Sequence, residues 1–311
     1  MNFDYIEASI FTCKDSINLS KLDQVSVNKY GYSSYTLRGN YNEMKVIYNS
    51  TNNLLILKGS LPYFSEGQNF SNEMQKIQES IYSISDTLDI NMFNAEVNKL
   101  DAGITFEVVK KPMEYLNTHY SIKGFKQVHY LNTKYFNGKD INLRMYDAGL
   151  NIKQKVTKEI REDLQDKKGY NPYYNYLRFE SVFKKPKSYF QKPDLTISNI
   201  FNPNFIHKCK EEIMNKYKSI KKEGCFDYPK NKRDLTLSVI ELLALKEYGL
   251  LYGFNPEEVL KSKIKAIPEG ILNKEDKKNR LKSLRATLKK INFKEVSDYD
   301  LSNEIAKALN I

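Results

Sequence analysis

The chain has 311 residues, 41% of them hydrophobic, and a formal charge of +11. That is enough length to bury a sizeable core and enough positive charge to point to an anionic partner, of which nucleic acid is the commonest. Three cysteines (Cys13, Cys209, Cys225) and three histidines (His119, His129, His207) stand singly, which excludes a zinc finger, a Cys-x-x-Cys redox pair and a metal cradle of paired histidines.

Residues 24–60 read as strands, from Val25-Ser26-Val27 to Leu54-Leu55-Ile56-Leu57-Lys58, with Asn49-Ser50-Thr51-Asn52-Asn53 as a polar hairpin connection. Met74, Ile77, Ile81, Ile84 and Leu88 then follow helical spacing over 72–88. A strand is expected at 96–109 and a short helix within 113–122. Strands at 132–136 and 141–147 flank Asn137-Gly138, a strong hairpin signal. A charged helix over 152–167 ends at Gly169-Tyr170-Asn171-Pro172, and a strand follows at 176–183. Beyond Lys184-Lys185-Pro186-Lys187 the pattern turns helical, at 207–220, 233–252, 256–265, 274–292 and 298–309. The expected fold is therefore α+β: a central antiparallel sheet with covering helices in residues 1–195, then a helical and more basic domain in residues 196–311. No internal repeat is readable. The start, Met1-Asn2-Phe3-Asp4-Tyr5, has no signal-peptide pattern, and no run approaches the ~18 apolar residues of a membrane span; a cytoplasmic protein without a membrane partner is expected.

Three strand-like strings each hold a reactive polar side chain: Val97-Asn98-Lys99-Leu100-Asp101, Asn142-Leu143-Arg144-Met145-Tyr146-Asp147 and Leu177-Arg178-Phe179-Glu180. A carboxylate in a strand pattern is costly to bury unless it is paired or holds a metal. Two carboxylates can hold Mg²⁺ or Mn²⁺ beside a phosphodiester. A tyrosine is a suitable nucleophile where the bond must later be resealed, because phenolate leaves readily in the reverse reaction. With 23 tyrosines in the chain, simple packing of a strand tyrosine is the competing explanation for Tyr146. Lys184, Lys185 and Lys187 beside Tyr189 and Phe190 form a pattern that suits backbone neutralisation and base stacking. The lysines and arginines of 274–292, Lys290 among them, form a second basic candidate.

Taken in order, Lys99-Leu100-Asp101, Arg144-Met145-Tyr146-Asp147 and Arg178-Phe179-Glu180 resemble the motifs of the rolling-circle replication initiators of staphylococcal plasmids. Thr133-Lys134-Tyr135-Phe136 and Met44-Lys45-Val46 add supporting matches. Around Asp101 and Arg178-Phe179-Glu180 the chain is also similar to the gene II protein of filamentous phages. The likeness covers residues 40–190, in short pieces. It implies an enzyme of a bacterial host's cytoplasm that nicks one strand of origin DNA, keeps a 5′-phosphotyrosyl link and leaves a 3′-OH for a host polymerase, with a host helicase as a further partner. On that reading Tyr146 attacks, Asp101 and Glu180 hold the metal, Arg144 and Arg178 steady phosphate charge, and Tyr170 is the alternative nucleophile. The chain departs from the family pattern at Ala148, where a lysine is expected, at Asn151, where a glutamate is expected, and at Thr105, where a second acid is expected with Glu107 as its possible substitute; Asp147 is a local addition. These departures keep a second class open, a DNA-binding replication or copy-control protein that retains the fold without cleavage.

Overall fold

The computed structural model describes residues 1–12, 17–30, 34–70, 73–222, 226–227, 233, 236–252, 256–289, 292–293 and 299–311. Cys13, Cys225 and Lys290 lie outside them. The strands are β1 (Asn2–Phe11), β2 (Asp23–Tyr30), β3 (Ser34–Tyr41), β4 (Met44–Asn49), β5 (Leu54–Gly59), β6 (Glu96–Val108), β7 (His119–Ser121), β8 (Lys126–Tyr130), β9 (Thr133–Asn137), β10 (Ile141–Asp147) and β11 (Asn175–Phe183). All but β7 join one antiparallel sheet in the order β2-β3-β4-β5-β1-β6-β11-β10-β9-β8. With its helices this is the expected α+β class.

Period-two alternation dictates which face of the sheet is buried. Met44, Val46 and Tyr48 of β4 and Leu55 and Leu57 of β5 are buried, while Lys45 between them is exposed. The buried face is covered by α2 (Met74–Leu88), which follows α1 (Leu61–Glu66), and by later helices. On α2 the helical period puts Ile77, Ile81, Ile84 and Leu88 at zero exposure against the sheet, each contributing roughly 1.5–3 kcal/mol of apolar burial. The short helix expected near 113–122 is α3 (Pro112–Thr118), and β7 and β8 follow it.

The charged stretch 152–167 is not one helix. It is split into α4 (Ala148–Lys155) and α5 (Lys158–Lys168), because Thr157 adopts extended backbone and its hydroxyl accepts from Ile160 N to start a second helix. These two helices lie on the opposite face of the sheet, where Ala148, Ile152, Leu164, Tyr170 and Tyr176 form a small cluster.

Beyond β11 come α6 (Pro186–Tyr189), α7 (Ile197–Ile200), α8 (Pro203–Ser219), α9 (Leu237–Tyr252), α10 (Pro256–Ala266), α11 (Lys274–Lys289) and α12 (Ser302–Leu309). Of the expected run 274–292, α11 accounts for Lys274–Lys289, while Asn292–Phe293 pairs as a short strand with Phe226–Asp227. Phe205, Cys209 and Ile213 of α8 and Ile305 and Leu309 of α12 belong to the main core of the sheet. Val239, Leu242 and Leu243 of α9 form a separate cluster with Leu260, Leu284 and Leu288.

The topology also holds a duplication that the sequence does not show. Outward from the central β1–β6 pair the order is β1-β5-β4-β3-β2 on one side and β6-β11-β10-β9-β8 on the other. Each half is one strand followed by a four-strand meander that returns beside it. The antiparallel β1–β6 pairing relates the halves by an approximate two-fold axis perpendicular to the sheet, so both present the same face to the same side.

Candidate active site

The motif strands β6, β11 and β10 are neighbours. Register pairs Glu180 with Gly103 and Arg144, Tyr146 with Arg178, and Arg178 with Thr105. Directly paired residues point to the same side, so Asp101, Arg144, Tyr146, Arg178 and Glu180 all lie on the face opposite the main core. There they meet a cleft of about 570 Å³, lined by Asp101, Arg144, Tyr146 and Glu180 together with Asp4, Tyr5, Tyr63, Asn69, Lys99, Asn151 and Lys155, among others.

At its floor Arg178, fully buried, donates from Nε to Glu180 Oε1 (2.9 Å), from Nη1 to Thr105 Oγ1 (2.6 Å) and to the Asn69 carbonyl (2.8 Å), and from Nη2 to Asp4 Oδ2. Tyr146 donates its hydroxyl proton to Glu180 Oε1 at 2.7 Å and accepts from Asn69 Nδ2 at 3.3 Å. Arg144 bridges the two expected metal ligands, with Nη1 3.4 Å from Glu180 Oε2 and Nη2 3.4 Å from Asp101 Oδ2. Lys99 stands 4.0 Å from Asp101 Oδ1 and over the Tyr5 ring.

Asp4 is a member of this site that sequence reasoning missed. The β1–β6 register slips between Phe3 and Tyr5, and such an irregularity re-aims a side chain; the Asp4 carboxylate faces Arg178 as a result. Its signal in the sequence is weak, an acidic residue between Phe3 and Tyr5. Gly103 matters for a different reason: a Cβ there would stand 2.8 Å from Asp4 Oδ2, 2.8 Å from Glu180 Cγ and 3.0 Å from Arg178 Nη2. Only a residue without a side chain lets the three charged groups converge.

The electrostatics follow from burial and the two arginines. Burial pushes Asp101 up to about 6 against Arg144 and Lys99. Burial also pushes Asp4 up to about 7, opposed by Arg178 and reinforced by Glu180. For Glu180 the burial penalty is outweighed by Arg178, Arg144 and the Tyr146 hydrogen bond, which together hold the carboxyl below its ordinary value. Burial, and then the charge of Glu180, raise Tyr146 well above the ordinary phenol value. The resting site is thus an ionised Glu180 accepting from a neutral Tyr146.

Several expected residues do other work. Arg178 does not line the cleft and holds Glu180 and Asp4 in place. Asp147 caps α4, accepting from Leu150 N at 2.8 Å. Glu107 lies exposed further along β6. Tyr170 is buried against Phe70 and Tyr176, away from the cleft. Lys184, Lys185 and Lys187 also lie outside the cleft: Lys184 donates to the Gly138 carbonyl, Lys185 precedes α6, and Lys187 pairs with Glu96. Of their aromatic neighbours, Phe190 is buried on Phe183 and Phe205, while Tyr189 is half-buried, packs on Phe183 and donates to Glu212.

Among the described residues no group of three or more His, Cys, Asp or Glu side chains is arranged to hold a metal ion. The donors that are present suit a smaller demand. Asp101 Oδ1 and Asp4 Oδ1 are buried without hydrogen-bond partners, and Mg²⁺ commonly takes one or two carboxylates and fills its shell with water and phosphate oxygens. Asp101 and Glu180 fit such an ion in place of the Arg144 bridge. The chain matches no family model and none of the curated proteins.

Proposed function

We propose that the protein nicks one strand of origin DNA through Tyr146, as an initiator of rolling-circle replication acting in the cytoplasm of a bacterial host. The observation that carries this reading is the 2.7 Å hydrogen bond from Tyr146 to Glu180 inside an open cleft with cationic Arg144 and Lys99 on its wall. A tyrosine whose pKa is raised needs a base at hand, and an ionised carboxylate in hydrogen-bond reach meets that need. Tyr146 Oη attacks the phosphorus, the bond to the 3′-oxygen breaks, and Glu180 Oε1 takes the phenolic proton. The leaving oxygen picks up a proton to become the 3′-OH available to a polymerase. The phosphotyrosyl link conserves the bond energy for resealing. Arg144 steadies phosphate charge from the cleft wall, and Arg178 positions the base from below. A Mg²⁺ or Mn²⁺ ion held by Asp101 and Glu180 would polarise the phosphate and offset its developing charge.

One observation favours the second reading, a DNA-binding protein without cleavage: Arg144 already spans Asp101 and Glu180, where the ion would sit. Incubation of supercoiled plasmid with the protein and Mn²⁺ separates the two. Relaxation with protein attached to the new 5′ end, lost in Tyr146→Phe, supports the nickase. Retarded mobility with no relaxation supports the binder. An adduct that survives Tyr146→Phe and disappears in Tyr170→Phe would make Tyr146 a structural residue.

A further inference from the structure

The half of the sheet built from β1–β5 presents the same face as the cleft, and there its side chains are exposed or half-buried. Register aligns Asn40, Lys45, Lys58, Glu7 and Lys99 in one row across β3, β4, β5, β1 and β6. The adjacent row holds Arg38, Ile47, Ile56 and Ser9. Alternation leaves Arg38 and Lys45 exposed and Lys58, Lys99 and the two isoleucines half-buried, whereas their chain neighbours Leu37, Met44, Val46, Leu55 and Leu57 are buried on the other side. Among the described residues Arg38, Lys45 and Lys58 make no ion pair; the carboxylate between Lys58 and Lys99 is Glu7, half-buried. Lys99 belongs to both surfaces, because it ends this row and lines the cleft.

We infer that this row is a backbone track for the DNA strand that enters the cleft, with Lys45, Lys58 and Arg38 neutralising phosphates beside the cleaved one. The inference rests on the nicking reading and extends it from the cleft to the other half of the sheet. From β6 to β4 is three strand spacings, about 14 Å, long enough to follow several consecutive phosphates. The half-exposed Ile47 and Ile56 offer an apolar bed for sugars or bases alongside. Duplication explains the division of labour: the two-fold relation turns the same face of both halves to one side, one half carrying the cleft and the other the cations.

The test is fluorescence anisotropy with a labelled 20-nucleotide single-stranded pool of random sequence, at several salt concentrations. Lys45→Ala/Lys58→Ala is expected to weaken binding about tenfold and to flatten the slope of log K against log salt by about 1.4, two phosphate contacts' worth for single strands. Lys45→Arg/Lys58→Arg is expected to restore both. In the plasmid assay the alanine pair is expected to shift the protein concentration needed for nicking and leave the plateau unchanged. Wild-type binding with unaltered affinity and slope in the alanine pair overturns the track and leaves the nicking reading intact. Wild-type protein that does not bind the pool overturns the track together with the DNA reading on which it rests.

Discussion

At the scale of single residues, the site turns on how closely Asp4, Arg178 and Glu180 converge over Gly103. Asp101, Arg144, Tyr146 and Glu180 were legible because each is the odd residue in its run. Arg144 and Arg178 looked equivalent; only the sheet shows one on the cleft wall and the other sealed beneath it. Asp4 was hidden because a β1–β6 irregularity, not local pattern, aims it. Gly103 gives the sharpest test of this convergence. Gly103→Ala puts a methyl 2.8 Å from Asp4 Oδ2 and Glu180 Cγ, and overpacking of this kind costs about 1–3 kcal/mol. An unfolding free energy lowered by that amount in urea titration, with nicking reduced far more than the folded fraction, is expected; full activity would show the three groups need not converge. Lys134 gives a second test on the buried face. It is fully buried, its Nζ has no hydrogen-bond partner, and burial lowers its pKa to about 7. Between pH 7 and the ordinary 10.5 the unfolded chain holds the proton and the folded chain does not, so wild-type stability rises with pH through that window and the penalty is complete below it. Lys134→Met is therefore expected to stabilise by up to ~5 kcal/mol below pH 7, an advantage that shrinks towards pH 10. A pH-independent difference in urea denaturation would contradict a charged lysine as the cause.

At the scale of elements, the strands carrying the motifs were readable from period-two alternation, and helix α2 from its apolar stripe. Strand β1 shows the same alternation only in its second half, where Ile6 and Ala8 turn inward against Glu7 and Ser9; the irregularity at Asp4 breaks the pattern in its first half. The single helix expected over 152–167 is interrupted by the stop at Val156 and the cap at Thr157. That break has a consequence for the cleft, because α4 begins directly after Tyr146 and Asp147 and lends Asn151, Gln154 and Lys155 to the wall. Asp147 is the residue that starts it. Asp147→Ala removes the side-chain acceptor for Leu150 N and is expected to cost ~1 kcal/mol of stability. Asp147→Asn or Asp147→Ser should recover most of it, since either caps a helix. If the departure from the family pattern at this position served metal binding instead, Asp147→Asn would keep stability and lose Mn²⁺-dependent nicking.

At the scale of the whole molecule, the charge pattern placed the basic excess in the C-terminal third, and α11 does expose Lys274, Lys278, Arg280, Lys282 and Arg285. What composition could not show is how the chain's last residues return to its first half. Tyr299, Leu301, Ile305 and Leu309 are all at most 1% exposed and belong to the core under the sheet, where Tyr299 packs edge-on against Tyr115 and Leu301 N donates to Tyr217. Tyr217 in turn packs edge-on against Phe179 of β11, the strand that carries Arg178 and Glu180. The site strand is thus backed by α8 and by the C-terminal segment. Residues 1–195 alone would leave the apolar face of β6 and β11 uncovered, so that fragment is expected to aggregate or to expose its core to a hydrophobic dye. Deletion of 299–311 alone makes the finer test. It removes four core side chains worth roughly 1.5–3 kcal/mol each, about 6–12 kcal/mol together, which is comparable to the 5–15 kcal/mol stability of a typical domain. Loss of a cooperative urea transition on that deletion is the expected outcome. A deletion that still unfolds cooperatively and still nicks plasmid would mean the sheet and its site stand without the C-terminal helix.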